Sequence, residues 1–177
     1  NNMGSITMAL AGLDCCENCA GGVSKIYVAN SGDIDSVVKD ADGAVTSIVM
    51  VATKVFYAAV FKPKSKLFTE NTTYNPDSCG TVVTQTLEGS IACCTQDGRI
   101  WLQEAIAQSC CGIVIIHTEL AGCTMIWGLG EDLGAYVLTS DKTTGKKIED
   151  ANERVVKFEC KTTPANMATE FLGTVPV

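Results

Sequence analysis

The sequence predicts a mainly β fold, a single-domain β-sandwich or small barrel with one flanking α-helix. Two observations favour this class. Short segments rich in β-branched and aromatic residues recur between turn residues, which is typical of strands. A single segment, "GRIWLQEAIAQ", has helical periodicity instead. Because no repeat, low-complexity tract or linker interrupts the 177 residues, one domain over 1–177 is expected.

Three strands are expected in the first third of the chain, over residues 23–30, 44–52 and 55–62. The turn-forming sequence "SGD" ends the first of them. The other two are rich in Val, Ile, Phe and Tyr and are separated only by "TK", so they are expected to pair as a hairpin. Four aspartates lie between the first and second of these strands: Asp33, Asp35, Asp40 and Asp42. They do not have the spacing of a calcium-binding loop and are expected on a solvated rim.

An extended hairpin is expected around residues 62–90. Two polar, Thr-rich strands lie on either side of a turn at 75–78, and Pro76 and Gly80 interrupt the strand pattern there. Strands with much threonine and little apolar bulk fill a core poorly, so this hairpin is expected to project from the body of the domain.

The one predicted helix follows the hairpin. Asp97 is its candidate N-cap, and Gly112 marks its end. Four apolar residues are expected on one face: Trp101, Leu102, Ala105 and Ile106. Further strands are expected over residues 112–118, 123–127, 135–139 and 154–162. The last of these alternates well and places Val156, Phe158 and Cys160 on the core side, with charged residues opposite.

Composition argues against several classes of protein. With 46% hydrophobic and 19% charged residues, the chain is expected to be globular. A net charge of −7 argues against a protein that grips nucleic acid, although it suits a surface past which DNA slides. The apolar runs fall far short of the ~20 residues of a membrane span, and the N-terminus lacks a basic signal-peptide region. Synthesis in the cytoplasm, reduced thiols and no membrane partner are therefore expected.

Ten cysteines are an unusual load for a chain of this length. Cys15, Cys16 and Cys19 are the candidate zinc ligands, because Cys16-x-x-Cys19 has the spacing with which two thiolates converge on one ion. The chain offers no second knuckle of this kind. Small buried hydrophobes are therefore the favoured interpretation of the cysteines, with structural zinc and disulfides as alternatives. No metal or cofactor is predicted.

The adjacent cysteines Cys93-Cys94 and Cys110-Cys111 are a separate case. On a strand, neighbouring side chains point to opposite faces, so such pairs are poorly placed to share an ion. A catalytic Cys–His pair would need His117, the one histidine, which ends a core strand and is expected to be structural or solvent-facing. The glycines of "WGLGEDLG" miss the dinucleotide-binding spacing by one position. No catalytic residue is predicted, and the chain is not expected to be an enzyme.

The C-terminal half contains an ordered set of features. In "GIVIIHTELAGCTMIWGLGEDLGAYVLTSDKTTGKKIEDANERVVKFECKTTPANMATEFLG", an apolar strand leads to Trp127-Gly128, a glycine-bounded turn, further strands and then Pro164-Ala165. This order resembles the tail tube (major tail) protein of tailed bacteriophages, of the type associated with Bacteroidetes hosts. The opening "CAGGVSKIYVANSGDID" with "GAVTSIVM", and the helix in "GRIWLQEAIAQSCCGIVIIH", are also similar to that family. The resemblance covers most of the chain.

The resemblance implies a tail tube or type VI secretion tube-like fold and a structural protein of the virion. Hexameric rings would stack into a hollow tube that conducts the genome, so the implied partners are copies of this chain, other tail proteins and DNA in transit. Acidic lumen residues would repel that DNA, and the long hairpin could reach a neighbouring subunit. Two alternatives stay open: an inner tube subunit of a contractile injection or type VI-like secretion system, and a small zinc- or thiol-dependent protein.

Overall fold

The computed structural model describes residues 21–62, 64–77, 79–92, 96–129, 134–143 and 153–177. These residues form eleven strands and one α-helix, α1 (Gln96–Gln108). The strands are β1 (Val23–Asn30), β2 (Ile34–Lys39), β3 (Val45–Met50), β4 (Tyr57–Ala58), β5 (Leu67–Asn75), β6 (Gly80–Ala92), β7 (Ile113–Glu119), β8 (Thr124–Trp127), β9 (Tyr136–Thr143), β10 (Glu153–Thr162) and β11 (Thr169–Glu170). The predicted mainly β class with one helix is confirmed.

The strands form three antiparallel sheets. A five-stranded sheet has the order β11-β8-β7-β1-β4, a four-stranded sheet has the order β5-β6-β10-β9, and β2 and β3 pair alone. No closed barrel forms within the described residues. The five-stranded and four-stranded sheets share one core, as the layers of a sandwich do.

Two hydrophobic cores lie on opposite faces of the five-stranded sheet. The first is shared with the four-stranded sheet and α1, and its members include Ile26, Leu87, Leu102, Trp127 and Phe158. The second lies between the other face and the β2–β3 hairpin, and it includes Val45, Ile48, Phe56, Ile116 and Phe171. Because β7 is covered on both faces, its sequence is continuously apolar instead of alternating.

The extended hairpin predicted around 62–90 is confirmed as β5 and β6. The two strands pair without a shift from Leu67↔Glu88 to Asn75↔Gly80. At the turn, the Asn75 side-chain oxygen accepts a hydrogen bond of 3.0 Å from the backbone N–H of Asp77. The half of β5 next to the turn is exposed, whereas Phe68 and Leu87 near the base pack into the first core.

The hairpin predicted from residues 44–52 and 55–62 is wrong. β3 pairs with β2, a strand that is not predicted from the sequence because aspartates interrupt its apolar pattern. The backbone turns at Thr53, which has a φ of 68°, and the chain then reaches the free edge of β1. Only Tyr57 and Ala58 pair there, so the second predicted strand is reduced to two residues.

The predicted helix is confirmed, but its first residue and its buried face differ from the prediction. α1 begins at Gln96, so Asp97 lies inside the first turn and is not the N-cap. Leu102 and Ala105 are buried, whereas Ile106 is 49% exposed. Ile106 and Trp101 both flank the buried stripe, but only the longer tryptophan reaches the core, where its ring meets that of Phe158 edge-on. The helices in the described part of the chain are too short or too polar to cross a membrane.

Candidate functional site

The solvent-side face of the four-stranded sheet, here called the outer face, carries many polar side chains. Side chains alternate along each strand, and the pairing registers place the outer-face residues in cross-strand rows. The rows are Leu67–Glu88–Lys157–Thr139, Thr69–Thr86–Glu159–Tyr136, Asn71–Thr84–Lys161 and Ser90–Val155–Asp141. The predicted placement of Lys157, Glu159 and Lys161 opposite the core is confirmed by the register.

A hydrogen-bonded row crosses the middle of the outer face. The hydroxyls of Thr69 and Thr86 bond to each other, and the Tyr136 hydroxyl donates to Oε1 of Glu159 at 2.5 Å. Lys161 Nζ lies 3.5 Å from the same carboxylate oxygen. The hydrogen bond to Glu159, helped by burial, raises the pKa of Tyr136 to about 12, so the phenol remains a donor at neutral pH. Glu159 is only 8% exposed, and these contacts provide its buried carboxylate with partners.

Each edge of this sheet lacks a strand partner on its outer side in the described part of the chain. β5 pairs only with β6, and β9 pairs only with β10, although the backbone N–H of Val137 at the start of β9 donates to the Ser109 hydroxyl. Each edge strand also exposes an aliphatic side chain, Leu67 on β5 and Leu138 on β9. A register shift opposite Lys157 and Phe158 leaves Leu138 unpaired at a bulge. Unpaired strand edges with exposed apolar side chains are surfaces to which another strand can add.

A pocket of about 400 Å³ lies on a different part of the domain, between α1 and the end of β1. Its floor is apolar and includes Val28, Ile113 and Phe158. Its rim carries an ion pair of 3.4 Å between Lys54 and Asp33. Both oxygens of this aspartate are engaged, because Asn30 donates to the second at 3.0 Å. Asp33 is therefore neutralised, and Glu104 of α1 is a second carboxylate that lines this pocket.

His117 is buried in the first core and contacts no solvent. Trp127 Nε1 donates to its Nδ1 at 3.2 Å, and the Phe68 ring lies 4.4 Å away. Burial lowers the pKa of His117 from 6.5 to about 4, so the imidazole is neutral at pH 7. Of the two expectations for this residue, the structural one is confirmed and the solvent-facing one is wrong. The exposed Cys111 lies at the other end of β7, roughly 20 Å along the strand, so the two do not form a catalytic pair.

The cysteines divide into several environments. Cys15, Cys16, Cys19, Cys93 and Cys94 lie outside the described residues. Cys160 is buried with its strand neighbours as predicted, but Cys79, Cys110 and Cys111 are exposed, contrary to the favoured interpretation. Within the described ranges, no group of three or more His, Cys, Asp or Glu side chains could hold a metal ion.

Two polar contacts of the four-stranded sheet were not predicted from the sequence. The bond between Tyr136 and Glu159 depends on a cross-strand register that no local pattern encodes. A second buried polar contact joins Gln85 to Glu70, at 2.8 Å on the core side of the same sheet. The polar character of the strands around it conceals this contact in the sequence.

Comparisons with family models, curated proteins and solved structures find no match to this chain.

Proposed function

We propose that this chain is the tail tube subunit of a bacteriophage, a structural virion protein that assembles into stacked rings around a channel for DNA. The observation that carries the proposal is the four-stranded sheet, which has two open edges and a polar outer face. In this proposal the sheet edges join neighbouring subunits, and the outer face lines the channel. The sequence resemblance described above supplies the class of assembly.

The strand order of the sheet is compatible with ring closure. Neighbouring strands in β5-β6-β10-β9 are all antiparallel, so β5 and β9 run in opposite directions. When copies are related by rotation about an axis along the strands, β9 of one copy meets β5 of the next in antiparallel orientation. Six copies would supply twenty-four strands, and at ~4.8 Å per strand the ring would be about 37 Å across between backbones.

The charges of the outer face suit a channel that DNA passes without binding. Four carboxylates lie on this side of the sheet, on Glu88, Asp141, Glu153 and Glu159. Three ammonium groups oppose them, on Lys62, Lys157 and Lys161, and that of Lys62 lies 2.9 Å from the Glu153 carboxylate. The excess of negative charge, together with the net charge of −7 for the chain, opposes the counterion release that drives binding to DNA phosphates.

The hairpin end supports a second contact in the proposed tube. Residues 71–77 are exposed, and Tyr74 presents its ring to solvent beyond the part of the sheet that covers the core. An exposed tyrosine on an extended hairpin offers an amphipathic contact for a neighbouring subunit or ring. Localisation in the virion, after synthesis in the host cytoplasm, belongs to this proposal.

Replacing Leu138 by lysine tests the sheet-edge contact. The charged side chain at the β9 bulge is expected to prevent strand addition, as edge lysines do in natural sheets. Negative-stain electron microscopy of concentrated wild-type protein should show rings or tubes, whereas Leu138→Lys should remain as single subunits. The free energy of unfolding is expected to change by no more than about 0.5 kcal/mol, because Leu138 is 41% exposed.

The matched control is Val38→Lys. Val38 is 49% exposed, and it lies on β2, which belongs to the hairpin that covers the opposite face of the five-stranded sheet. This variant is expected to form the same assemblies as the wild type. A wild-type protein that never forms rings at high concentration would overturn the proposal, and so would a Leu138→Lys variant that assembles normally.

A further inference from the structure

Cys110 and Cys111 form an exposed dithiol in the turn between α1 and β7. Their Sγ atoms are 3.4 Å apart, and both residues are exposed. The sequence predicts that adjacent cysteines lie on a strand and point apart. That expectation is wrong for this pair, because the helix ends at Gln108 and the turn that follows directs both sulfurs to one side.

The helix side of this turn is anchored by Ser109. Its hydroxyl donates to the backbone oxygen of Ala105 at 2.9 Å and accepts a hydrogen bond of the same length from the backbone N–H of Val137 on β9. The backbone N–H of Cys111 donates to the oxygen of Gln108, also at 2.9 Å. The Cys110 Sγ also lies 3.2 Å from the backbone oxygen of Ala107. Both cysteines are therefore tied to the helix, and Ser109 ties the helix end to the four-stranded sheet.

The strand side of the turn is fixed at Gly112. This residue has a φ of 86°, a left-handed conformation that favours glycine, and its oxygen accepts a hydrogen bond of 3.1 Å from Ser31. A Cβ on Gly112 would lie 3.0 Å from the Cα of Gly134. Because both sides of the turn are held, the two thiols are positioned before any ligand arrives, which lowers the entropic cost of binding one.

The separation of the sulfurs selects a class of ligand. With bonds of ~2.3 Å from each sulfur to a central atom, a separation of 3.4 Å corresponds to a bond angle of about 95°. A linear two-coordinate ion would need the sulfurs about 4.6 Å apart at that bond length, so it fits poorly. A pyramidal trivalent arsenic centre, which holds its ligands near a right angle, fits well.

We propose that Cys110 and Cys111 are a chelating dithiol site for a soft, thiophilic centre that binds two sulfurs near a right angle, represented by a monosubstituted trivalent arsenical. This inference is independent of the proposed tube function. The hydrogen bond to Cys110 and the charge of its thiolate raise the pKa of the Cys111 thiol. Two protonated thiols are the form that condenses with an arsenical oxide.

The reaction with phenylarsine oxide needs no oxidant. Two sulfur–arsenic bonds form, the bond between arsenic and oxygen breaks, and the oxygen leaves as water with the two thiol protons. Arsenic remains trivalent and the sulfurs keep their oxidation state. A single thiol forms only one such bond, so its adduct is displaced by excess monothiol, whereas a chelate resists displacement through its high effective concentration.

The test is protection of the native full chain from alkylation. Protein is treated with phenylarsine oxide, washed with excess 2-mercaptoethanol and alkylated with N-ethylmaleimide. The arsenical is then released with 2,3-dimercaptopropanol, and the newly freed thiols are alkylated with iodoacetamide. Trypsin separates the cysteine clusters, because peptide 100–142 holds Cys110, Cys111 and Cys123, whereas peptides 1–25 and 67–99 hold the other adjacent pairs.

We expect two iodoacetamide-derived groups on peptide 100–142, located at Cys110 and Cys111 by fragmentation. In Cys110→Ser, protection at position 111 should fall at least about tenfold, because one thiol cannot chelate. Cys123→Ser is the matched control on the same peptide and should retain full protection. Absence of protection at Cys110 and Cys111 in native wild-type protein would overturn the inference, as would equal protection of Cys111 in Cys110→Ser.

Discussion

Replacing Phe158 by alanine is expected to lower the free energy of unfolding by about 3–5 kcal/mol. Phe158 has no solvent exposure, and its cross-strand partners are Leu87 on β6 and Val137 on β9. The ring also meets that of Trp101 at an interplanar angle of 72°, so the helix and the sheet both rest on it. Truncation removes this apolar surface and leaves a cavity that the two sheets and the helix surround.

Urea titration followed by circular dichroism measures the effect. Phe158→Leu provides a graded variant that keeps most of the volume and should cost about 1 kcal/mol, which is useful if the alanine variant does not fold. Val60→Ala is the exposed control, since Val60 is 84% exposed, and it should change the free energy by less than about 0.5 kcal/mol. A Phe158→Ala protein as stable as this control would contradict the position of the core.

Acidification from pH 6.5 to pH 4 is expected to destabilise the protein through His117 by up to ~3 kcal/mol. The pKa of this residue is lowered from 6.5 to about 4 in the folded state because burial disfavours the imidazolium. Between these values the unfolded chain binds a proton that the folded chain does not. The contribution of neutral His117 to the free energy of unfolding is therefore fully present above about pH 6.5. It is lost as the pH falls toward 4, at about 1.4 kcal/mol per pH unit.

The effect of His117 is separated from that of the carboxylates, which titrate in the same range, by measuring the free energy of unfolding of wild type and His117→Gln between pH 6.5 and pH 4. His117→Gln retains an acceptor for the Trp127 indole N–H but does not ionise. Because His117 is the one histidine of the chain, the stability of this variant should depend on pH through the carboxylates alone. If wild type and His117→Gln have the same slope between pH 6.5 and pH 4, the buried neutral state of His117 is refuted.

The elements that the sequence predicted best are those defined by local periodicity. β10 alternates between apolar and charged residues, and its core-side residues are buried as expected. β7 is continuously apolar, and the β5–β6 hairpin has a turn marked by Pro76 and Gly80. In each case the pattern of one short segment is enough to predict the strand.

The pairings between distant segments could not be predicted in this way. β4 leaves β3 and pairs with β1, because the turn at Thr53 redirects the chain, and the sequence there is equally compatible with a hairpin. The Tyr136–Glu159 bond exists only after β9 and β10 have found their register. The two sulfurs of the dithiol converge because α1 ends four residues before Gly112, a boundary that sequence patterns locate poorly.

The pairing of β1 with β7 has a consequence during translation. Val23 pairs with Glu119 and Asn30 with Ile113, so β1 leaves the ribosome about 90 residues before its partner β7. At roughly 5–20 residues per second, the apolar face of β1 stays uncovered for about 5–20 s. During that time the nascent chain exposes Ile26 and Val28 next to an edge that β7 has not yet covered, a state in which a chain is prone to aggregate.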